Sequence, residues 1–307
     1  MGKLIAILQT ALPVFLALGL GMLCRKRSFL SREGVDALKK VVLDITLPAV
    51  LLNAFASTRY TLQTLVLPVT MFLVCCLALA LGYLVIRISG MKSRLAPFLT
   101  SGFEAGMLGY ALFTLLFPGE STSRFAILDL GQTLFVFTLY KVLLSGRKDM
   151  RAIGKDMLTS PILWAVFAGV LLGATGLYDA MGSFRGILDS ATSFVSAPTG
   201  MIILLTVGYD LVLRDIPWKK TAGLIAMRLL VMAVCLGVLL TLNRFCFGNT
   251  VFVGAAVLMC LLPPPYVIPV FADEPSERVQ ISSALSALTL VTMVLFALYS
   301  VILGTQS

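Results

Sequence analysis

Ten long apolar stretches constrain this chain more than any other feature. They fall at roughly 4–23, 37–56, 62–88, 95–117, 124–145, 158–176, 187–212, 221–242, 249–271 and 279–303. A helix needs about 20 residues to cross the ~30 Å hydrocarbon core of a bilayer, and most of these runs supply that. In lipid, every backbone polar group needs a partner within the protein, so only helices and closed barrels span it. The runs lack the polar alternation of barrel strands. Hydrophobic residues make up 59% of the 307 and charged ones 13%, against roughly 45–50% and 25% in a soluble domain. No soluble fold of this size can hide so much apolar surface. The expected class is an all-α polytopic membrane protein with ten transmembrane helices.

The net charge of +9 does not point to nucleic acid, because the basic residues sit in short gaps between apolar runs. Eighteen of the 24 Lys and Arg lie around the gaps after runs one, three, five, seven and nine. Five lie at the N-terminus or in the other gaps, and Arg228 lies inside run eight. Cytoplasmic loops carry the basic excess, so the odd gaps are expected in the cytoplasm and both termini outside. The apolar N-terminus resembles a signal peptide, but it lacks a small-x-small cleavage site and ends in CRKR at 24–27. It reads as a retained first helix. Cys75, Cys76, Cys235 and Cys260 fall within apolar runs, where a thiol acts as a small hydrophobe. With no CxxC and no histidine, neither a disulfide scaffold nor a metal site is expected.

The polar segment 146–157 separates a first unit, 1–145, from a second, 158–307. Each holds five runs. Five is odd, so two copies of one fold joined this way lie upside down to one another, the inverted-repeat design of many secondary transporters. Run two carries Pro48 and run seven Pro198. Run four is interrupted at SGFEAGMLGYALF and run nine at MCLLPPPYVIPVFADE. Pro263, Pro264 and Pro265 remove three backbone donors, so regular helix cannot continue there. Gly102, Gly106 and Gly109 let run four leave the helix. Broken helices at membrane depth line a cavity or are buried in protein. The plain alternative is that Gly and Pro are common in membrane helices. Their matching places in both halves favour a substrate site.

Glu104 lies about nine residues, or ~14 Å, from the start of run four at the helical rise, near the expected midplane. A carboxylate there normally faces a polar cavity or a partner. It is a candidate proton carrier, a bound cation would keep it ionised, and the structural alternative is a pair with Arg228. Asp129 and Gln132 are candidates for the same cavity, although Asp129 could instead cap the outer end of helix five. Asn53 is a candidate cavity amide. Asp210 reads as an interfacial partner of Arg214.

With these motifs in their order, the chain resembles a bacterial member of the auxin efflux carrier family. The resemblance runs through CRKRSFLSREGVDALKKVVLDITLPAVLLNAF at 24–55, GFEAGMLGYALF, LDLGQTLFVFTLY and SPILWAVFAGVLLG at 160–173. It continues through APTGMIILLTVGYDL, the MRLLVM around Arg228 and the proline-rich ninth run. It implies an inverted-repeat fold similar to sodium/proton antiporters and bile-acid transporters, with helices four and nine broken and crossing beside a substrate pocket. Gly106, Gly109 and Tyr110 match the family's glycine-rich break; Pro263, Pro264 and Tyr266 match the ninth-helix break. Glu104 stands where members often have asparagine or another polar residue, PPPY replaces a commoner proline–small pattern, and Asp210 replaces a small or apolar residue.

The expected function is a secondary carrier or facilitator for a small organic anion, a carboxylate. It would work in the cell membrane with the bilayer as its environment and no cofactor beyond a proton or sodium coupling ion. Nucleic acid is not an expected partner, and a homodimer is left open. Tyr209-Asp210 resembles half of an intramembrane aspartyl protease motif, but the GxGD half is missing, so no enzyme is expected. A channel or sensor is the other alternative; saturable flux with counterflow separates carrier from channel. The charge distribution also sets a topology test. In a cysteine-free background, a cysteine at position 151 is expected to resist an impermeant thiol reagent in intact cells. External labelling there would overturn the orientation.

Overall fold

A computed structural model describes residues 2–91, 93–145, 154–155, 158–211, 218–272 and 274–306, and among these the chain is helical without strands. Helix α1, Gly2–Lys26, is followed by α2, Arg32–Val41, which runs through a π turn at Val42–Thr46 into α3, Leu47–Ala56. Helix α4 is Leu62–Ser89. A 3-10 turn at Ala96–Thr100 then gives way to extended chain, a π turn at Ala105–Gly109 and α5, Tyr110–Leu116. Helix α6, Ser123–Phe135, passes through a π turn at Val136–Tyr140 into α7, Lys141–Leu144. In the second half come α8, Pro161–Ala174, α9, Leu177–Ala180, α10, Ser183–Ser196, α11, Thr199–Asp210, and α12, Trp218–Phe245. Helix α13, Val253–Leu261, a 3-10 turn at Ile268–Phe271 and α14, Pro275–Gln306, complete the chain.

Six helical stretches among the described residues are long and apolar enough to cross a membrane: Thr64–Ser89, Ala96–Leu116, Ser123–Leu144, Ser183–Asp210, Thr221–Phe245 and Ser276–Leu303. The other expected runs fall on α1, on the α2–α3 pair, on the short α8 and on the interrupted α13 region. Of the expected linker 146–157, only 154–155 are described. The outer surface carries large apolar side chains with no protein cover, among them Leu73, Phe167, Phe194 and Leu230, as a chain in lipid requires.

Local chemistry explains the boundaries. Ser31 caps α2 by accepting from Gly34 N at 3.1 Å, and Thr61 and Thr64 form a reciprocal capping box at α4. Pro48 cannot donate to the carbonyl four residues back. The π turn just before it absorbs that mismatch, with Leu47 N–H reaching back to Val42 O. Pro198 marks the junction of α10 and α11.

The helices pack as two bundles that mix the halves of the sequence. One contains α1, α2–α3, α8 and α10–α11; the other contains α4, α6, α12 and α13, with α5 packed on α1 and α11, and α14 packed on α1 as well as on α12 and α13. Small residues allow backbones to meet, the usual basis of helix packing in lipid. A Cβ on Gly21 would lie 2.0 Å from Leu205 O, and one on Gly208 would lie 2.2 Å from Leu18 O, so α1 and α11 touch main chain to main chain. Gly131 of α6 does the same against Pro68 O of α4, at 2.0 Å. Gly208→Val is therefore expected to destabilise the protein by roughly 1–3 kcal/mol or more through overpacking, read as a lower melting temperature in detergent. Gly19→Ala, with nothing within 4 Å of its Cβ, is the control and should melt like the parent.

Candidate functional site

The two interruptions meet. Non-helical residues 101–104 of the first half cross non-helical residues 262–265 of the second, and Glu104 N–H donates to Pro263 O at 2.8 Å. Gly102 adopts φ +67°, a conformation that favours glycine. A Cβ there would lie 3.0 Å from the Pro265 ring. The prolines suit an extended segment in a dry interior because they bring no N–H that needs a partner.

The freed carbonyls remain, and side chains satisfy them one by one. Arg228 of α12, only 3% exposed, donates from Nη1 to Leu99 O at 2.9 Å. From Nη2 it donates to Gly102 O at 2.9 Å and Leu262 O at 2.7 Å. Tyr140 OH donates to Phe98 O at 2.8 Å, Gln132 Nε2 to Phe103 O at 2.6 Å, and Thr292 OH to Leu261 O at 2.7 Å. Opposite Arg228, both carboxylate oxygens of Glu104 accept backbone N–H groups, Oε1 from Met107 at 3.1 Å and Oε2 from Tyr266 at 2.7 Å. Arg228 thus serves the C-terminal ends of Ala96–Thr100 and α13. Glu104 caps the segment beginning at Ala105 and the turn beginning at Tyr266. Each charge sits at the helix pole that favours it. The alternative reading of a Glu104–Arg228 pair is overturned: no ion pair joins them, because each is committed to backbone at its own side of the crossing.

Below the crossing lies a cavity of about 870 Å³ between the two bundles. Of the sequence-derived site residues, Glu104, Gly106, Asp129, Gln132 and Tyr266 line it. The remainder do not. Gly109 is packed under Phe125 and Leu262, whose atoms would lie 2.7 and 2.8 Å from an added Cβ. Tyr110 is buried beside the cavity, where its OH donates to Asp129 Oδ2 at 3.0 Å. That bond also removes the reading of Asp129 as an outer cap. Pro263 and Pro264 build the crossing without reaching the cavity surface. Asn53 is elsewhere: its amide donates to Thr192 Oγ1 at 2.9 Å and Asp189 Oδ1 at 3.3 Å, joining α3 to α10. An amide in an apolar run must find a partner, and this one found it within its own bundle.

Sequence reasoning missed the cavity mouth. Arg32, Lys39 and Asp210 line it from one bundle, and Lys141 and Arg278 from the other. Arg214, the expected partner of Asp210, lies outside the described residues; Asp210 instead bonds Arg32 and Lys39. The signal was the amphipathic stretch SREGVDALKKV, which puts Arg32 and Lys39 seven residues apart on one helical face. The polar lining also includes Thr133, Ser286 and Thr289. Thr289 shares a 3.0 Å hydrogen bond with Tyr266 OH.

The opposite-pole arrangement separates from a buried pair by mutation. Arg228→Met strands three carbonyls and leaves Glu104 as the lone charge at the crossing, so a loss of roughly 3–5 kcal/mol is expected. Glu104→Gln presents a donor to one of two N–H groups and should also lower the melting temperature. In a direct pair the double variant would recover stability. Here it is expected to melt no higher than the worse single variant, and recovery toward the parent would overturn the arrangement.

Residues 6–155 match the family described as membrane transport protein. Along the chain, a protein of Methanothermobacter thermautotrophicus named an uncharacterized transporter is 26% identical over 308 residues, covering 96% of this chain and 98% of its own length. The chain is a multi-pass membrane protein, and its residues 6–155, which carry Glu104, Gly106, Asp129 and Gln132, are similar to the membrane transport protein family.

Proposed function

We propose that this chain is a secondary carrier for a small organic anion, a carboxylate, in the cytoplasmic membrane. The observation that carries the reading is the cavity between the two bundles, whose mouth brings together Arg32, Lys39, Lys141 and Arg278. Four cations against Asp210 at the mouth, with Glu104 and Asp129 deeper in the cavity, favour negative solutes at the entrance. Leu43, Leu47, Leu51, Val136 and Ile162 offer the body of such a solute an apolar wall. In this reading the ten runs are ten spans in two inverted repeats, and both termini lie outside. The cavity then opens to the cytoplasm, because its cations belong to the loops after runs one, five and nine. A cavity between two bundles, closed at the crossing, suits alternating access.

Energy coupling is part of the same proposal. Glu104 and Asp129 are the two acids nearest the floor of the cavity, and a proton or sodium ion bound there would travel with the substrate. A channel with the same cavity would pass solute without saturation.

Purified protein in liposomes is expected to take up one or more members of a radiolabelled carboxylate panel with saturation and counterflow. Imposed pH and sodium gradients would identify the coupling ion. Gly106 faces the cavity, and an added Cβ would meet only Leu47 Cδ2, at 3.2 Å. Gly106→Trp is therefore expected to abolish this flux, by more than about tenfold, by filling the cavity while the protein melts within a few degrees of the parent. Unchanged flux in a folded Gly106→Trp protein would place the pathway elsewhere.

A further inference from the structure

Arg32 and Lys39 face the cavity mouth, yet both are occupied. Arg32 Nη1 donates to Asp210 Oδ1 at 2.6 Å and Lys39 Nζ donates to Asp210 Oδ2, so each carboxylate oxygen holds one cation. All three side chains line the cavity. Asp36 is a looser second acid, 3.4 Å from Arg32 Nε and 3.8 Å from Lys39 Nζ, with more than half of its side chain in the open.

The fold has little need of Asp210. The α1–α11 seam is already closed by Gly21 and Gly208. The corner between α1 and α2 is tied to α11 by two other bonds, Arg25 Nη1 to Tyr209 O at 2.9 Å and Tyr209 OH to Leu30 O at 3.3 Å. Asp210 occupies the last turn of α11, the helix pole that disfavours an acid. Its side chain is 35% exposed, and ion pairs so open to solvent stabilise little. An acid in an electrostatically poor position, holding two cations on the wall of an anion-suited cavity, has the properties of an exchangeable ligand.

We propose that Arg32 and Lys39 form an anion-binding subsite at the cavity mouth, selective for a carboxylate or another small oxyanion with two oxygens to present, and that Asp210 is its resident competitor. This deepens the carrier reading and rests on it for the identity of the transported solute, although binding itself can be measured without transport. When an anion arrives, its oxygens take the donors of Arg32 and Lys39, and the Asp210 carboxylate is released toward the solvent of the mouth. The number of charge-assisted bonds is conserved. The two cations never face one another unneutralised, and the returning Asp210 expels the anion. The subsite therefore binds more weakly than two free cations would and releases faster, as a carrier that must let go of its cargo requires.

The test uses the purified full chain in detergent, with inorganic sulfate as the probe and chloride at matched ionic strength as the reference. Asp210→Asn removes the competitor at nearly constant volume. Sulfate is expected to raise the melting temperature of this variant with half-saturation at least about tenfold lower than in the parent, the scale of one or two charge-assisted hydrogen bonds. The triple variant Arg32→Gln, Lys39→Met, Asp210→Asn should lose the response. Equal sulfate responses in the parent and Asp210→Asn would overturn the proposal, as would a response that survives in the triple variant. Should Asp210→Asn not fold, Asp210→Ser is measured in its place; failure of both to fold would make Asp210 structural and end the proposal. The expected sulfate result in a protein without carboxylate flux in liposomes would remove the carrier reading and leave the subsite standing.

Discussion

Unsatisfied backbone in a dry interior is the problem around which this molecule is organised. Two helices stop near the centre of the protein, and their carbonyls and amides cannot turn to water. A buried polar group without a partner costs several kcal/mol in hydrocarbon. Arg228 meets three of the carbonyls, Glu104 two of the amides, and Tyr140, Gln132 and Thr292 supply further donors. Arg228 and Glu104 act at opposite poles of the half-helices, so their charges are stabilised by dipoles rather than by one another. Both interruptions persist because these side chains complete them.

The rest of the architecture follows from holding that crossing in place. Gly131 lets α6 lie against α4, which brings Asp129 and Gln132 to the cavity side, and Gln132 in turn fixes Phe103 O. Gly21 and Gly208 draw α1 and α11 together in the other bundle, which carries Asp210 to the face where α2 presents Arg32 and Lys39. Apolar attraction cannot hold helices together when lipid is equally apolar, so close backbone contact and satisfied polar groups carry that task. The cavity is what remains between two bundles built in this way.

Three π turns, at Val42–Thr46, Ala105–Gly109 and Val136–Tyr140, each contribute residues to the cavity wall: Leu43, Gly106 and Phe137 among them. A π turn widens the helix by one residue and re-aims the side chains beyond it. One is explained by Pro48 and one by the crossing. The structure offers no comparable local cause for the third, in α6–α7, beyond the fit of Tyr140 to Phe98 O.

Apolar run length without polar alternation determined the helical class, because lipid leaves a chain few ways to satisfy its backbone. Gly102 and Pro263 to Pro265 likewise determined where helices must stop, since φ freedom and missing donors are properties of single residues. Tyr266 was legible only through the family resemblance, whereas Glu104, Asp129 and Gln132 were legible as cavity candidates for a related reason: polarity inside an apolar run demands a partner or a cavity. Which of the two it receives is decided only by tertiary packing. Asn53 and Asp129 look alike in sequence, yet Asn53 meets Thr192 and Asp189 across its own bundle while Asp129 faces the cavity beside Tyr110. The same holds for the charges. Glu104 and Arg228 are 124 positions apart, as are many pairs of no consequence, and Arg32, Lys39 and Asp210 belong to distant segments. Folding brings Arg32, Lys39 and Asp210 within hydrogen-bond reach and sets Glu104 and Arg228 on opposite sides of the crossing, because close helix contacts at Gly21, Gly208 and Gly131 fix where each side chain ends.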